Sequence, residues 1–299
     1  MRIIVTGGLG FLGRWLLAES SPADELILLT RQANISDFNF LGRRAACRRT
    51  DYTTADLSSH FRAADAVVHL AAVRPTAGLP SSAYQFNLES TENLLDACLQ
   101  AGVSNVVLAS SRAVYGIANP CPWTEEQTPK PASAYGTSKL DMEGIAGHCF
   151  TRFGLPSRSL RLAQLAGWGE RPGYALVNFI QAAAEKHPLR VFASGADARE
   201  YLYVRDAARA VLAALQHPTL HGAFNIGSEQ PVSILALARL INRVFENEGN
   251  LEVGPLAAES GPMYWMSSQK ARQILGWSSL WTLEDGLSEI RNLIRQSSP

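Results

Sequence analysis

The chain has 299 residues, 46% hydrophobic and 18% charged, enough apolar content for one large core or two fused ones and too much for a disordered segment. Lys plus Arg and Asp plus Glu both total 27, so no charge excess draws the chain onto nucleic acid or an anionic membrane. Cys47, Cys98, Cys121 and Cys149 lie far apart with no CxxC pair, which argues against a zinc site or disulfide framework and for a reducing cytoplasm.

Met1-Arg2 leads directly into Ile3-Ile4-Val5 without a small-residue cleavage site, and no apolar run approaches the ~18 residues of a membrane span. A soluble, unprocessed cytoplasmic protein is expected. Residues 2–6, 25–30, 65–70 and 104–109 are short runs rich in Val, Ile and Leu, each followed by a helix-like stretch. Strands apolar on both faces need helices on both sides, so the expected fold class is α/β, a Rossmann-type doubly wound parallel sheet. Between Pro80 and Gly102, Leu88, Thr91, Leu95 and Cys98 recur at helical spacing, with Gly102 suited to the C-cap. After residue 165, loops containing Gly, Pro and Trp alternate with helices expected near 175–186, 205–216, 232–247 and 282–296. In the last of these Leu283, Leu287, Ile290 and Ile294 share one face. Residues 1–164 are therefore assigned to a dinucleotide-binding domain that also receives later segments from about 190–227. Residues 165–299 are assigned mainly to a smaller, interleaved C-terminal substrate lobe.

Thr6-Gly7-Gly8-Leu9-Gly10-Phe11-Leu12-Gly13 follows the first strand and opens a helix. Gly7, Gly10 and Gly13 permit a tight turn, close approach of a pyrophosphate and close helix-to-sheet packing, with helix N-terminal amides facing the anion. Where a ribose-binding acid would end the second strand, the chain has Thr30-Arg31. Thr30 does not repel a 2′-phosphate and Arg31 is able to pair with one, so NADP is favoured over NAD unless Arg31 is only a solvated loop residue. Arg14 is either a second phosphate contact or a surface residue. Asp51, followed by Tyr52, is a candidate acceptor for the adenine amino group.

Tyr135-Gly136-Thr137-Ser138-Lys139 places Tyr135 and Lys139 on one helical face, with Ser111 at the end of the strand Val106-Val107-Leu108. A nearby ammonium favours phenolate and is expected to lower the Tyr135 pKa, as a general acid/base requires. His69 reads as core, Glu125-Glu126 as a solvated pair, and Trp265, Trp277 and Trp281 as packing. Trp168, between Gly167 and Gly169, is placed to border the pocket. No metal spacing is present.

Added to these motifs are His69-Leu70-Ala71-Ala72, Asn87 ahead of Thr91, Ser110-Ser111-Arg112-Ala113-Val114-Tyr115-Gly116 and Arg199-Glu200-Tyr201-Leu202-Tyr203-Val204-Arg205-Asp206. Asn225-Ile226-Gly227 and Leu275-Gly276-Trp277 follow in the C-terminal lobe. On this set the chain resembles the extended short-chain dehydrogenase/reductases, specifically the NAD-dependent epimerase/dehydratase family typified by nucleotide-sugar epimerases. The resemblance implies that Tyr135 exchanges a proton with the substrate oxygen, Ser111 hydrogen-bonds that oxygen, Lys139 holds the nicotinamide ribose and Asn87 helps organise Lys139. It further implies that Phe11, Leu12, Leu70, Ala71, Ala72 and Arg74 line the cofactor. Gln164, Arg199 and Tyr264 would then meet the substrate, Arg199 at the nucleotide diphosphate.

Departures from the family pattern narrow the reaction. Arg112-Ala113 stands where dehydratases carry an Asp-Glu pair, which argues against sugar 4,6-dehydration, and Ala257-Ala258-Glu259-Ser260 stands where an Arg and an acid often grip the nucleotide. An epimerase recycles its hydride and commonly keeps NAD, whereas a reductase draws on NADPH. Thr30-Arg31 therefore points to 4-keto reduction of a nucleotide-linked sugar. The alternatives are a nucleotide-sugar 4-epimerase with tightly bound NAD, a reductase of a small non-sugar ketone or aldehyde, and a non-catalytic NAD(P)-sensing protein. The long helices expected near 80–101 and 132–152 resemble a family dimer interface, so a homodimer is expected unless their apolar faces serve the monomer core.

Overall fold

The computed structural model describes every residue except 34, 36, 77, 193, 194, 255–260, 298 and 299. In β1 (Arg2–Thr6), which leads through α1 (Phe11–Glu19) to β2 (Glu25–Thr30), successive side chains take opposite faces. Ile3, Val5, Leu26 and Leu28 enter one core, while Ile4, Ile27 and Leu29 enter the other. This is the period-two alternation of strands covered on both sides.

Next comes a hairpin for which the sequence carries no apolar run: β3 (Asp37–Phe40) pairs antiparallel with β4 (Arg43–Arg49). Its turn residues Leu41 and Gly42 both take positive φ, 49° and 77°, the geometry that matches the right-handed twist of paired strands. The chain continues through α2 (Thr54–Phe61), β5 (Ala66–His69), α3 (Gln85–Ala101), β6 (Val106–Ser111), α4 (Ala134–Phe153) and β7 (Ser157–Leu162). Then follow β8 (Gln164–Ala166), α5 (Ala175–Ala184), β9 (Leu189–Val191), β10 (Ala198–Tyr203), α6 (Val204–Leu215) and β11 (Gly222–Ile226). The remainder is β12 (Pro231–Ser233), α7 (Ile234–Val244), β13 (Leu251–Val253), β14 (Met263–Tyr264) and α8 (Leu283–Ser297).

Eight strands form one sheet in the order β11-β7-β6-β5-β1-β2-β4-β3. All its neighbours run parallel except β3 and β4. Helices α2, α3 and α4 cover one face through Leu57, Phe61, Leu94, Leu95, Cys98 and Ala146. Helices α1 and α6 cover the other through Trp15, Leu16, Ala207 and Val211, each fully buried large side chain contributing about 1.5–3 kcal/mol. The fold is the expected doubly wound α/β class.

After β7 the chain leaves the plane of the sheet: β8 pairs with β10, which also pairs with β12 and β14, while β9 pairs with β13. Of the strands in 190–227, only β11 therefore joins the large sheet, because Tyr201 and Tyr203 of β10 instead face a third core. That core holds Leu176, Phe179, Leu237, Ile241, Leu287 and Ile290, and it receives the apolar face of α8 as the heptad-like spacing predicts. Helix α3 starts at Gln85 after a 3-10 turn at Ser81–Tyr84 and ends at Gly102, whose φ is 72°. Residues 232–233 lie in β12, so α7 begins later than expected. No described helix is long and apolar enough to cross a membrane.

Candidate active site

The turn after β1 is built for an anion. Gly7 has φ 67°, and a Cβ there would lie 2.6 Å from the Ala71 backbone nitrogen, while one on Gly13 would lie 2.4 Å from the Gly8 carbonyl oxygen. The Gly10 N–H donates to the Gly7 carbonyl at 2.9 Å. Gly10 caps α1 with no side-chain hydrogen bond, leaving first-turn amides available to a phosphate. A backbone cradle that any side chain would fill fits a dinucleotide pyrophosphate.

The cradle opens into a cavity of about 980 Å³, at the upper end of small-molecule sites. Of the residues expected at the site, Gly7, Gly10, Phe11, Leu12, Gly13, Thr30, Arg31, Tyr52, Leu70, Ala71, Ala72, Arg74, Ser111, Tyr135, Lys139, Gln164, Arg199 and Tyr264 line it. Asp51 and Asn87 do not. The exposed Asp51 accepts from the Thr53 N–H and hydroxyl, both at 2.8 Å, and these bonds hold its carboxyl below the usual range. Its Oδ1 caps a turn at the start of α2. Asn87 is fully buried. It accepts from the Val73 N–H at 2.7 Å and donates to the Val73 carbonyl and the Ser138 hydroxyl. It ties the segment that carries Arg74 to the turn of α4 that carries Lys139.

Arg31 lines the cavity with its guanidinium 4.8 Å from the centre of the Phe86 ring. Thr30 is buried and accepts from the Gln32 N–H at 3.1 Å. Arg14 donates to the Leu9 carbonyl at 2.8 Å and is absent from the lining.

Helix α4 starts where Ser133 accepts from the Gly136 N–H, a cap that sets Tyr135 in the first turn. The Tyr135 phenol is near the Ser111 hydroxyl, which acts on its titration. One turn on, Lys139 donates to the Ala109 carbonyl at 2.8 Å, its Nζ 5.9 Å from the Tyr135 ring centre. Burial raises the Tyr135 pKa, while the Ser111 hydroxyl and the charge of Arg74 pull it down. The net direction corrects the expectation of a lowered phenol. Burial pushes Lys139 down to about 8 against the pull of Glu143, whose carboxylate is held by Arg161 at 2.7 Å.

Several groups were not foreseen. Glu170, its side chain 4% exposed, pairs bidentately with Arg74 at 2.9 and 3.0 Å. Arg171 hydrogen-bonds the Pro75 carbonyl and Thr76 hydroxyl. The Gly-Glu-Arg-Pro-Gly run at 169–173 marks a loop, but nothing local in it names Arg74 as partner. Glu200 is fully buried, accepting from the Glu229 and Met266 N–H groups; burial pushes its carboxyl up to about 7. Glu125 is half-buried rather than solvated, because its carboxylate accepts from the Asn225 N–H at 2.7 Å.

His69 is core, bonded to Thr6 and Thr91, and burial lowers it to about 3. Trp168 stacks on Phe40 at 5.9 Å and stays outside the cavity lining. Residues 257–260, expected to bear on nucleotide grip, lie outside the described residues. Among the described residues no cluster is suited to a metal ion.

A doubly wound sheet with a glycine cradle at the carboxyl end of its first strand defines a dinucleotide-binding protein of the Rossmann type. The sequence profile described as the NAD dependent epimerase/dehydratase family matches residues 3–227, and the chain belongs to that family. It is 28% identical to an uncharacterized UDP-glucose epimerase, YtcB, of Bacillus subtilis strain 168, over 96% of each chain. It superposes on the UDP-N-acetylglucosamine 4-epimerase from Bacillus cereus with TM-score 0.90 at 34% identity, covering 100% of this chain and 98% of that one. A UDP-glucuronic acid 4-epimerase from the same species, solved with UDP-glucuronic acid and NAD, gives TM-score 0.84 at 26% identity over 100% of both chains. The family is one of nucleotide-sugar epimerases and dehydratases.

Proposed function

We propose that the chain is a nucleotide-sugar 4-epimerase acting on uridine diphosphate sugars with a resident NAD. The observation that carries this is the convergence of Ser111, Tyr135 and Lys139 beside the glycine cradle, in a cavity that continues to Arg199. Similarity to epimerases, one of them solved with NAD, favours this reading over 4-keto reduction with NADPH. Arg31 over Phe86 is then a wall of the adenosine end.

In this reading Gly7, Gly10 and Gly13 hold the pyrophosphate, Leu70, Ala71 and Ala72 flank the dinucleotide, and Lys139 hydrogen-bonds the nicotinamide ribose. When bound, NAD supplies the hydride acceptor and donor at the sugar C4. Tyr135 takes the C4 hydroxyl proton during oxidation and returns it on reduction. Ser111 donates to the same oxygen, stabilising charge as it develops. Ser111 and the charge of Arg74 are the groups that favour the phenolate. Arg112-Ala113 provides no acid pair for dehydration, which fits a reaction that returns its hydride. Residues after 165 mainly supply the substrate side, and exposed Phe150 and Phe153 on α4 suit a homodimer face.

The purified protein is expected to release NAD on acid treatment and to convert a UDP-sugar to its 4-epimer, followed by NMR, without consuming added NADPH. Stoichiometric NADPH oxidation on a 4-keto sugar, with no epimer formed from any UDP-sugar, would restore the reductase.

A further inference from the structure

Arg199 is the residue common to the large cavity and to a second one of about 530 Å³. The second cavity offers Phe192, 86% exposed, as a flat apolar surface for a nucleobase, and its other arginine, Arg190, is paired with Glu252. A nucleotide sugar laid with its base at Phe192 and its sugar at Ser111 and Tyr135 therefore puts its diphosphate at Arg199. Arg112 is near enough to Arg199 for the two charges to repel. It lines only the large cavity and follows Ser111, at the ~3.8 Å spacing of successive Cα atoms.

Arg112 is half-buried, and among the described residues no carboxylate lies within ion-pair distance of it. The other cavity cations differ, Lys139 donating to the Ala109 carbonyl. Arg74 is held by Glu170, and Arg31 lies over Phe86 at the opposite end. The acid closest in sequence to Arg199, Glu200, is committed to the Glu229 and Met266 amides. Burial, and next the repulsion of Arg199, hold the Arg112 guanidinium below its ordinary value against the pull of Glu200. Glu200 attracts this cation without pairing with it, so the guanidinium fork has no direct ion-pair partner until a substrate anion supplies one.

Resting on the nucleotide-sugar reading, we propose that Arg112 recognises a carboxylate carried by the sugar ring, so that nucleotide-linked uronates are preferred to neutral hexoses. The guanidinium fork matches a carboxylate bidentately, where a neutral hydroxymethyl group leaves it unpaired.

The test compares UDP-glucuronate, UDP-glucose and UDP on the full chain, by turnover and calorimetric binding, for the natural protein, Arg112→Met and Arg112→Lys. The natural protein is expected to favour UDP-glucuronate by ~10-fold or more in kcat/KM. Arg112→Met should abolish that ratio and Arg112→Lys retain part of it, with UDP affinity changing less than about threefold, a magnitude below one well-formed charge contact. Preference for UDP-glucose in the natural protein overturns the proposal. So does a parallel loss for both sugars and UDP in Arg112→Met, which would place Arg112 at the diphosphate. If no UDP-sugar at all is turned over, the epimerase reading fails by itself. Binding then decides Arg112: selectivity for UDP-glucuronate that vanishes in Arg112→Met upholds its role, and equal affinities refute it. NAD affinity and melting temperature of the Lys variant control for misfolding.

Discussion

Tyr135 and Lys139 stand one helical turn apart, yet the forces on Tyr135 come chiefly from burial, Ser111 and Arg74. Tyr135→Phe removes only the hydroxyl. In rapid-mixing assays it should lower kcat by about 10²–10⁴-fold while dinucleotide affinity, read by fluorescence, stays within about threefold. Glu200 supplies a pH signature of folding. Its folded pKa of about 7 exceeds the ordinary glutamate value of 4.5, so between those values the folded chain holds a proton that the unfolded chain has released, and stability falls as pH rises through the window. From pH 5 to 7.5 the natural protein should lose about 2 kcal/mol more than Glu200→Gln in urea titrations; equal losses would remove Glu200 as the source. Ser111, Tyr135 and Lys139 were legible because strand end and helical spacing are local patterns. Glu170 was not, since its meaning depends on Arg74, 96 residues away. Arg112 was visible only as a departure from a dehydratase pattern, and its cationic surroundings emerge once β10 places Arg199 nearby.

Helix α4 delivers Tyr135 from its first turn, which makes its start a functional joint as well as a structural one. Ser133→Ala deletes the cap to the Gly136 N–H and should cost about 1 kcal/mol in denaturant titrations, with a fall in kcat exceeding any change in NAD affinity. An unchanged kcat would show that packing alone orients Tyr135. The parallel strands were readable from their Val-, Ile- and Leu-rich runs, because both faces of β1, β2, β5 and β6 are buried. The hairpin β3–β4 was not, as edge strands face solvent and Asp37-Phe38-Asn39-Phe40 shows no buried-strand composition. The departure of β10 from the large sheet was equally hidden, since apolar content does not state which core will receive Tyr201 and Tyr203.

The two ends of the chain are tied through α6. Arg205 pairs with Glu19 of α1 and, at 2.7 Å, with Glu289 of α8, beneath the rings of Trp15 and Trp281. Arg205→Ala strands two carboxylates that are each under a quarter exposed, and it should destabilise the protein by about 2–4 kcal/mol in equilibrium unfolding. A loss below ~0.5 kcal/mol would class the pairs with ordinary surface contacts. Strand β11 completes the large sheet beside β7, although residues 163–221 separate them in the chain. During synthesis at roughly 5–20 residues per second, β7 therefore waits several seconds with one row of backbone groups unpaired. That interval is the window in which the nascent protein is open to chaperone capture or edge-to-edge aggregation, and it closes only when Phe224 and Ile226 reach the sheet.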